Sequence, residues 1–229
     1  MAFDIKTSKM LNDSKQGNFV FAPIGNICNV QIFDRISMES CGEMVGQLAT
    51  IISQLPAQKP TVTASTKITS PYNISPDVFV FDVAINSGGG DLDAYKSVMS
   101  MFALAKSRGA IVRTNNIGFA GSAASLLFVQ GTPGYRIMSD TARTFIHYGK
   151  STTSVMREAE LDIVVKNTKD NRERINNIYQ TCTNLTDEEI KRFLSIEGSG
   201  DLSSSECLFK GICDWILRYD GKLFSGHNR

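Results

Sequence analysis

The sequence predicts an α/β domain in which strands of a parallel sheet alternate with helices. Residues 78–85 are apolar at nearly every position, as expected for a central parallel strand that is covered on both faces. Apolar residues spaced by three and four predict a helix before this strand at 41–55 and another after it at 92–102. This alternation favours right-handed crossovers between parallel strands.

The other elements are assigned from the same apolar spacings and from turn-forming residues. The length suits one domain with a single core over residues 1–229. Along the chain we expect an N-terminal arm at 1–27, a strand at 29–36, a loop insertion at 57–77, a strand from 110, a small-residue helix at 118–128, a strand at 143–147, a long helix at 152–182, a shorter helix at 188–194 and a closing segment at 201–217.

Composition argues against several classes of function. The chain has 24 basic and 23 acidic residues and a net charge of +1, which does not favour a nucleic-acid partner. No apolar run is long enough for a membrane span, and the N-terminus lacks the layout of a signal peptide. The five cysteines are irregularly spaced, so we expect reduced thiols in a cytoplasmic protein, with neither a disulfide frame nor a metal site.

The first candidate site is the segment Asn86-Ser87-Gly88-Gly89-Gly90, between the central strand and the next helix. Glycines let the backbone approach a ligand closely, and amides at the start of a helix can bind a phosphate or a developing oxyanion. Asp91 follows where a phosphate-binding loop would have lysine, so a carbonyl oxygen is the better ligand. The alternative is a tight turn that needs glycine only for its shape, and the pattern alone leaves both interpretations open.

Ser122 and His147 are the candidates for nucleophilic chemistry. Ser122 lies among small residues at the start of a helix, where its hydroxyl can be exposed and neighbouring amides can stabilise an oxyanion. His147 ends an apolar strand, and the other histidine, His227, is third from the C-terminus. A closely packed helix is the structural alternative for Ser122, and a hydrogen-bonded structural histidine is that for His147. The second alternative is the weaker one, because a serine nucleophile needs a base.

Together these segments resemble the ClpP family of serine peptidases. The glycine segment is similar to the family motif Asn-Ser-Pro-Gly-Gly, residues 118–122 are similar to Gly-x-Ala-Ala/Gly-Ser, and the histidine likewise follows apolar residues. The resemblance implies the ClpP/crotonase-type α/β fold of repeated ββα units with a protruding handle helix, here at 150–182. The insertion at 57–77 and the missing Gln-Pro after the histidine indicate a divergent member, of the kind a phage could encode.

Spacing within this resemblance distinguishes Ser122 from Ser125, which also follows an Ala-Ala pair. With Ser122 as the nucleophile, the downstream family positions fall without a gap on Gly131, Gly134, Arg136 and His147. With Ser125 they are all three residues off. The resemblance therefore implies Ser122 as nucleophile and His147 as general base, with Ser125 one turn further along the helix.

The resemblance also implies the remaining parts of the site. The oxyanion donors would be the backbone amides of Gly90 and Ala123, and no metal or cofactor is implied. The aspartate of the family falls near Phe193, where this chain has no carboxylate. Glu197 and Asp201 are the nearest downstream carboxylates, and we expect Glu197 to orient the histidine. The alternative is an incomplete triad.

The implied function is that of a serine endopeptidase that cleaves unfolded polypeptides inside a closed homo-oligomeric ring. The ring would be a heptamer or a double heptamer whose halves meet through the handle, and an ATP-driven unfoldase of the Clp type would supply the substrate. Two alternatives remain open. One is a catalytically inactive structural ring subunit, and the other is an acyl-CoA enzyme of the crotonase class, which shares the oxyanion hole without needing a serine–histidine pair.

Overall fold

The computed structural model describes residues 18–56, 68–149, 158–195 and 198–226. Several predictions concern residues outside these ranges. They are the role of Glu197, the end of the chain at His227, most of the N-terminal arm, residues 57–67 of the insertion and residues 150–157 before the long helix.

The described residues form six helices and nine strands. The helices are α1 (Met38–Gln54), α2 (Leu92–Ser107), α3 (Ala123–Val129), α4 (Glu158–Cys182), α5 (Asp187–Phe193) and α6 (Ser204–Phe209). The strands are β1 (Phe19–Val20), β2 (Ile27–Ile32), β3 (Val80–Ser87), β4 (Ile111–Gly121), β5 (Arg136–Ser139), β6 (Arg143–Ile146), β7 (Gly200–Ser203), β8 (Trp215–Leu217) and β9 (Leu223–Ser225).

One sheet contains all nine of these strands and has a parallel centre. The order is β1-β2-β3-β4-β5-β8-β9, in which β2 to β8 are parallel neighbours and the outer strands β1 and β9 are antiparallel. The long strand β4 pairs first with β5 and then, further along, with β6, and β7 lies antiparallel to β6. The predicted α/β class with a parallel sheet is confirmed, and the carboxyl ends of β4 and β6 lie side by side.

Local sequence explains where the first two long helices begin. Ser37 caps α1 in a reciprocal arrangement with Ser40, and the apolar residues of α1 at the predicted spacing are buried in the core. The carboxylate of Asp91 accepts hydrogen bonds from the amides of Asp93 at 2.7 Å and Ala94 at 2.9 Å. Asp91 is therefore the N-terminal cap of α2, which accounts for a carboxylate directly after three glycines.

The predicted helix at 118–128 is wrong at its beginning. Residues 119–121 still belong to β4 and pair with residues 143–145 of β6, and α3 begins only at Ala123. Because the sheet satisfies these backbone groups, the small residues serve a strand and a tight turn first and a helix afterwards. Ser122 is therefore the single residue at which the chain turns from β4 into α3.

The helix α4 is polar along most of its length. Among its described side chains only Ile175 and Tyr179 are buried, and both lie near its carboxyl end. Ile163 and Val165, near its start, are each 60% exposed. The buried side chains of α4 thus lie in its last turns, while Thr168 and Arg172 in its middle make polar contacts with Tyr148 and Leu194.

Two further findings concern classes of site. All five cysteines lie in the described ranges and are free thiols, as predicted. Within the same ranges, none of the helices has the length and apolar character that crossing a bilayer requires, and no three His, Cys, Asp or Glu side chains are grouped so that they could hold a metal ion.

Candidate active site

Ser122 occupies a strained backbone position between β4 and α3. Its φ of 52° and ψ of −121° make it the one non-glycine residue with positive φ in the described part of the chain. Such a conformation costs about 1–3 kcal/mol and persists only where the surroundings enforce it. The Ser122 amide donates to the carbonyl of Phe145 in β6 at 2.8 Å, and its half-buried side chain makes no capping bond to α3. The hydroxyl is thus free of a structural role in the helix.

The glycine segment lies directly against Ser122. A Cβ atom on Gly89 would overlap the carbonyl oxygen of Gly121 and would lie 2.8 Å from both the Ala123 nitrogen and the Ser122 Cβ. Gly89 also has a φ of 92°, so two independent constraints require glycine there. The side chain of Ser87 accepts a hydrogen bond from the Gly89 amide at 3.1 Å, which fixes the loop from the sheet side. The predicted ligand-binding turn and the predicted nucleophile therefore form one unit.

The amides of Gly90 and Ala123 are the predicted oxyanion donors. Ile36 bridges the glycine segment by donating to the Gly89 carbonyl at 2.9 Å and accepting from the Asp91 amide at 2.7 Å. This parallel bridge uses the groups on either side of Gly90. Neither the Gly90 nor the Ala123 amide donates to another described residue. Free amides on two segments that meet at Ser122 can stabilise negative charge on a bound carbonyl oxygen.

His147 directly follows β6, at the same edge of the sheet as Ser122. Phe145 is the register partner of Gly121, and the rings of Phe145 and His147 lie 5.1 Å apart. The imidazole is half-buried, and burial lowers the pKa of His147 below its ordinary value of 6.5. Among the described residues, none forms a hydrogen bond with its ring, and this includes Ser122. The strands β4 and β6 thus bring Ser122 and His147 to the same edge of the sheet, without a hydrogen bond between them.

Glu197 and Asp201 are the two carboxylates downstream of α5 that could orient His147. Glu197 lies outside the described residues. Asp201 is opposite Phe145 in the β6–β7 pair, and its carboxylate accepts from Arg143 Nε at 2.8 Å. That ion pair is largely exposed, and among the described residues the Asp201 carboxylate bonds to Arg143 and not to His147. Phe193, at the family position of the aspartate, is buried in the core.

Ser125, the rejected nucleophile, is fully buried in α3. Its Oγ lies 2.6 Å from the Ser122 carbonyl oxygen and 2.7 Å from the hydroxyl of Tyr179 on α4. Ser125 therefore lies in the core, one turn along the helix from Ser122, as expected. Nothing in the spacing of the sequence indicates that Tyr179 reaches this position.

Two asparagines fix the strands around the site: Asn86, which the sequence analysis named only as part of the glycine segment, and Asn116, which it missed. Asn86 Oδ1 accepts from the Phe119 amide at 3.1 Å, and the fully buried Asn116 donates through Nδ2 to the Arg143 carbonyl at 2.9 Å. They hold β3 and β6 against β4 next to Ser122. For Asn116 a signal was available, because asparagine is depleted in strands and a buried asparagine needs a polar partner.

The chain is similar to a known protein family and to several curated proteins. The family model described as Clp protease matches residues 76–220, a range that contains both glycine-rich segments, Ser122 and His147. The chain is 28% identical over 135 residues to the ATP-dependent Clp protease proteolytic subunit 4 of Streptomyces avermitilis, covering 59% of this chain and 58% of that protein.

Two further relatives carry similar names. The ATP-dependent Clp protease proteolytic subunit 1 of Bifidobacterium longum is 30% identical over 59% of this chain and 56% of its own length. The subunit 1 of Chlamydia muridarum is 31% identical over 66% of this chain and 73% of its own length. The chain thus spans less than two thirds of the length of the Streptomyces and Bifidobacterium relatives.

Proposed function

The chain belongs to the Clp protease family, and from that membership we propose that it is a serine endopeptidase that cleaves unfolded polypeptides. The observation that carries this proposal is the strained Ser122, which is held between two segments with free amides and lies beside β6, the strand that His147 directly follows. A serine that is forced to positive φ at a strand-to-helix turn presents its hydroxyl outward, as nucleophiles of hydrolases do.

The proposed reaction begins when Ser122 Oγ attacks the peptide carbonyl carbon and His147 accepts the hydroxyl proton. The amides of Gly90 and Ala123 donate to the oxyanion of the tetrahedral intermediate. His147 then gives its proton to the leaving amine as the C–N bond breaks, which leaves an acyl ester on Ser122. Water attacks the ester with His147 again as base, releasing the carboxylic acid and restoring the serine hydroxyl.

Glu197 is our proposed third member of the triad. A carboxylate near the imidazole favours its charged form and fixes its orientation. Asp201 is less suited to this role because its carboxylate already binds Arg143.

We further propose that the chain assembles into closed rings, as a heptamer or as two stacked heptamers that meet through α4, in the cytoplasm. The exposed Ile163 and Val165 near the start of α4 support a protein contact there. A Clp-type ATP-driven unfoldase would deliver polypeptides to the ring. Sedimentation of the wild type and of an Ile163→Asp, Val165→Asp variant tests this, and an unchanged mass for the variant would argue against contact through α4.

One observation favours a second function, that of a catalytically inactive ring subunit. In the described residues, His147 lacks both a carboxylate partner and a hydrogen bond to Ser122. A site of this kind can tighten when substrate binds, so both functions fit the geometry.

A fluorophosphonate probe distinguishes the two functions. The peptidase proposal predicts one adduct per chain, located on Ser122 by mass spectrometry, abolished by Ser122→Ala and strongly slowed by His147→Ala. The variant Ser100→Ala, on the exposed face of α2, is the matched control and should label normally. A folded wild-type protein that neither labels nor hydrolyses peptides would instead be the structural subunit.

A further inference from the structure

Two hydroxyl groups connect the buried end of α4 to the backbone of Ser122. Ser125 Oγ lies 2.6 Å from the Ser122 carbonyl oxygen and 2.7 Å from Tyr179 Oη. A carbonyl oxygen can only accept, so the single hydroxyl hydrogen of Ser125 is directed at Ser122. The Tyr179 hydroxyl must therefore donate to Ser125 Oγ. Complete burial also raises the pKa of Tyr179, which keeps this donor protonated at any physiological pH.

The Ser122 carbonyl is held by more than the ordinary helix bonds. It accepts from the Ser125 amide at 3.0 Å, from the Leu126 amide at 3.3 Å and from Ser125 Oγ at 2.6 Å, which is the shortest of the three. This carbonyl belongs to the same planar peptide unit as the Ala123 amide. Any group that fixes the direction of the Ser122 C=O therefore also fixes the opposite direction of the Ala123 N–H.

We propose that Tyr179 and Ser125 are positioning residues that hold the Ser122–Ala123 peptide plane in the orientation needed for catalysis. This inference rests on the proposed function of Ser122. The two side chains touch neither substrate nor the reacting atoms, and they act through the peptide whose amide would stabilise the oxyanion. Positive φ at Ser122 is unfavourable by itself, so the conformation depends on such external hydrogen bonds.

Tyr179 is suited to this role because α4 is fixed at that end. Its side chain is 2% exposed, and the carbonyl of Cys182, one turn later, accepts from Arg136 at 2.5 Å. Arg136 in turn binds both carboxylate oxygens of Asp214. The hydroxyl of Tyr179 thus lies on a helix end that Arg136 and Asp214 fix to the core.

Tyr95 offers a matched control. It is also buried, it lies near Tyr179, and its hydroxyl bonds to Gln130 and not to Ser125 or Ser122. The substitutions Tyr179→Phe and Tyr95→Phe thus remove the same atom from neighbouring buried tyrosines, and only the first interrupts the connection to Ser122.

The experiment compares Tyr179→Phe, Ser125→Ala, the double variant and Tyr95→Phe. It measures kcat and KM on a short fluorogenic peptide, the rate of fluorophosphonate labelling and the thermal unfolding midpoint. We expect kcat and the labelling rate to fall about ten-fold in Tyr179→Phe, with KM nearly unchanged. This loss is smaller than the loss caused by removing an oxyanion donor, because the Ala123 amide is still present. The double variant should be no slower than Ser125→Ala, and Tyr95→Phe should match the wild type even if its unfolding midpoint falls.

Equal kinetics in Tyr179→Phe and the wild type, or equal losses in both tyrosine variants, would overturn the inference. If Tyr179→Phe does not fold, Ser125→Ala is judged by the same criteria against Tyr95→Phe. If the wild type does not label, the proposed function fails, and amide hydrogen exchange decides the positioning role. The Ser125 and Leu126 amides must then exchange faster in Tyr179→Phe than in Tyr95→Phe, and equal rates refute it.

Discussion

The two sides of the candidate site are built differently. On the side of the proposed nucleophile, Ser122 is fixed by backbone hydrogen bonds, by the close contact with Gly89 and by the hydroxyls of Ser125 and Tyr179. On the side of the proposed base, His147 follows the end of β6, and in the described residues its side chain has one ring neighbour and no hydrogen-bond partner.

The ion pairs beneath the two sides show the same contrast. Arg136 and Asp214 form a buried bidentate ion pair next to the end of α3. Arg143 and Asp201, in contrast, form an exposed ion pair between β6 and β7. The fold therefore holds Ser122, the proposed nucleophile, through buried polar contacts, whereas the orientation of His147 would come from the proposed Glu197.

The largest expected effect concerns that carboxylate. If Glu197 orients His147, Glu197→Gln should lower kcat by about 10³–10⁴-fold, as loss of the acid does in serine proteases generally. Asp201→Asn is the control and should change kcat by less than about three-fold, because its ion pair with Arg143 is exposed. Hydrolysis of a fluorogenic peptide measures both. The reverse order of losses would assign the role to Asp201, and two small losses would indicate an incomplete triad.

The next effect is on stability. Arg136→Met should lower the free energy of unfolding by about 3–5 kcal/mol, because it leaves the carboxylate of Asp214 buried without its partner. Arg143→Met should leave the urea midpoint unchanged within error, since both members of that pair are accessible to water. Urea denaturation measures the loss of unfolding free energy in each variant, provided that the slope of free energy against urea concentration is the same. Similar losses in both variants would contradict the contrast between the two sides.

A smaller loss of activity should follow when the glycine loop is displaced. Gly89→Ala should reduce kcat about 100-fold, because the new methyl group would overlap the Gly121 carbonyl and move Ser122. Gly88→Ala adds the same group where nothing lies within 4 Å, so it is the control and should remain active. Circular dichroism confirms that both variants are folded, and equal activities would show that the loop tolerates displacement.

The smallest effect is on the titration of His147. Burial disfavours the imidazolium, so without a carboxylate partner the pKa of His147 should lie below 6.5. A nearby Glu197 would favour the imidazolium and raise that pKa, so Glu197→Gln should lower it relative to the wild type. The chain has only two histidines, and His227→Gln assigns their signals in an NMR titration. Identical titrations in the wild type and in Glu197→Gln would remove Glu197 from the site.

The sequence alone determined the α/β architecture and indicated which residues are the candidates for the reaction. The apolar run at 78–85, the spacing of α1 and the glycine segments predicted a parallel α/β sheet because burial and backbone conformation leave a local pattern. The choice of Ser122 over Ser125 came from the resemblance to the ClpP family, whose downstream positions fit this sequence without a gap only when Ser122 is the nucleophile.

Tertiary structure decided what depends on contacts between distant segments. Residues 119–121 have the composition of a packed helix, yet they form a strand because β6, more than twenty residues later, supplies their partners. Three features of the site depend on residues that are far apart in the chain. They are the positive φ of Ser122, the close contact of Gly89 with Ser122 and the contact of the Tyr179 hydroxyl from α4 with Ser125. No local pattern encodes such contacts, because each of them exists only once the sheet and its helices are packed.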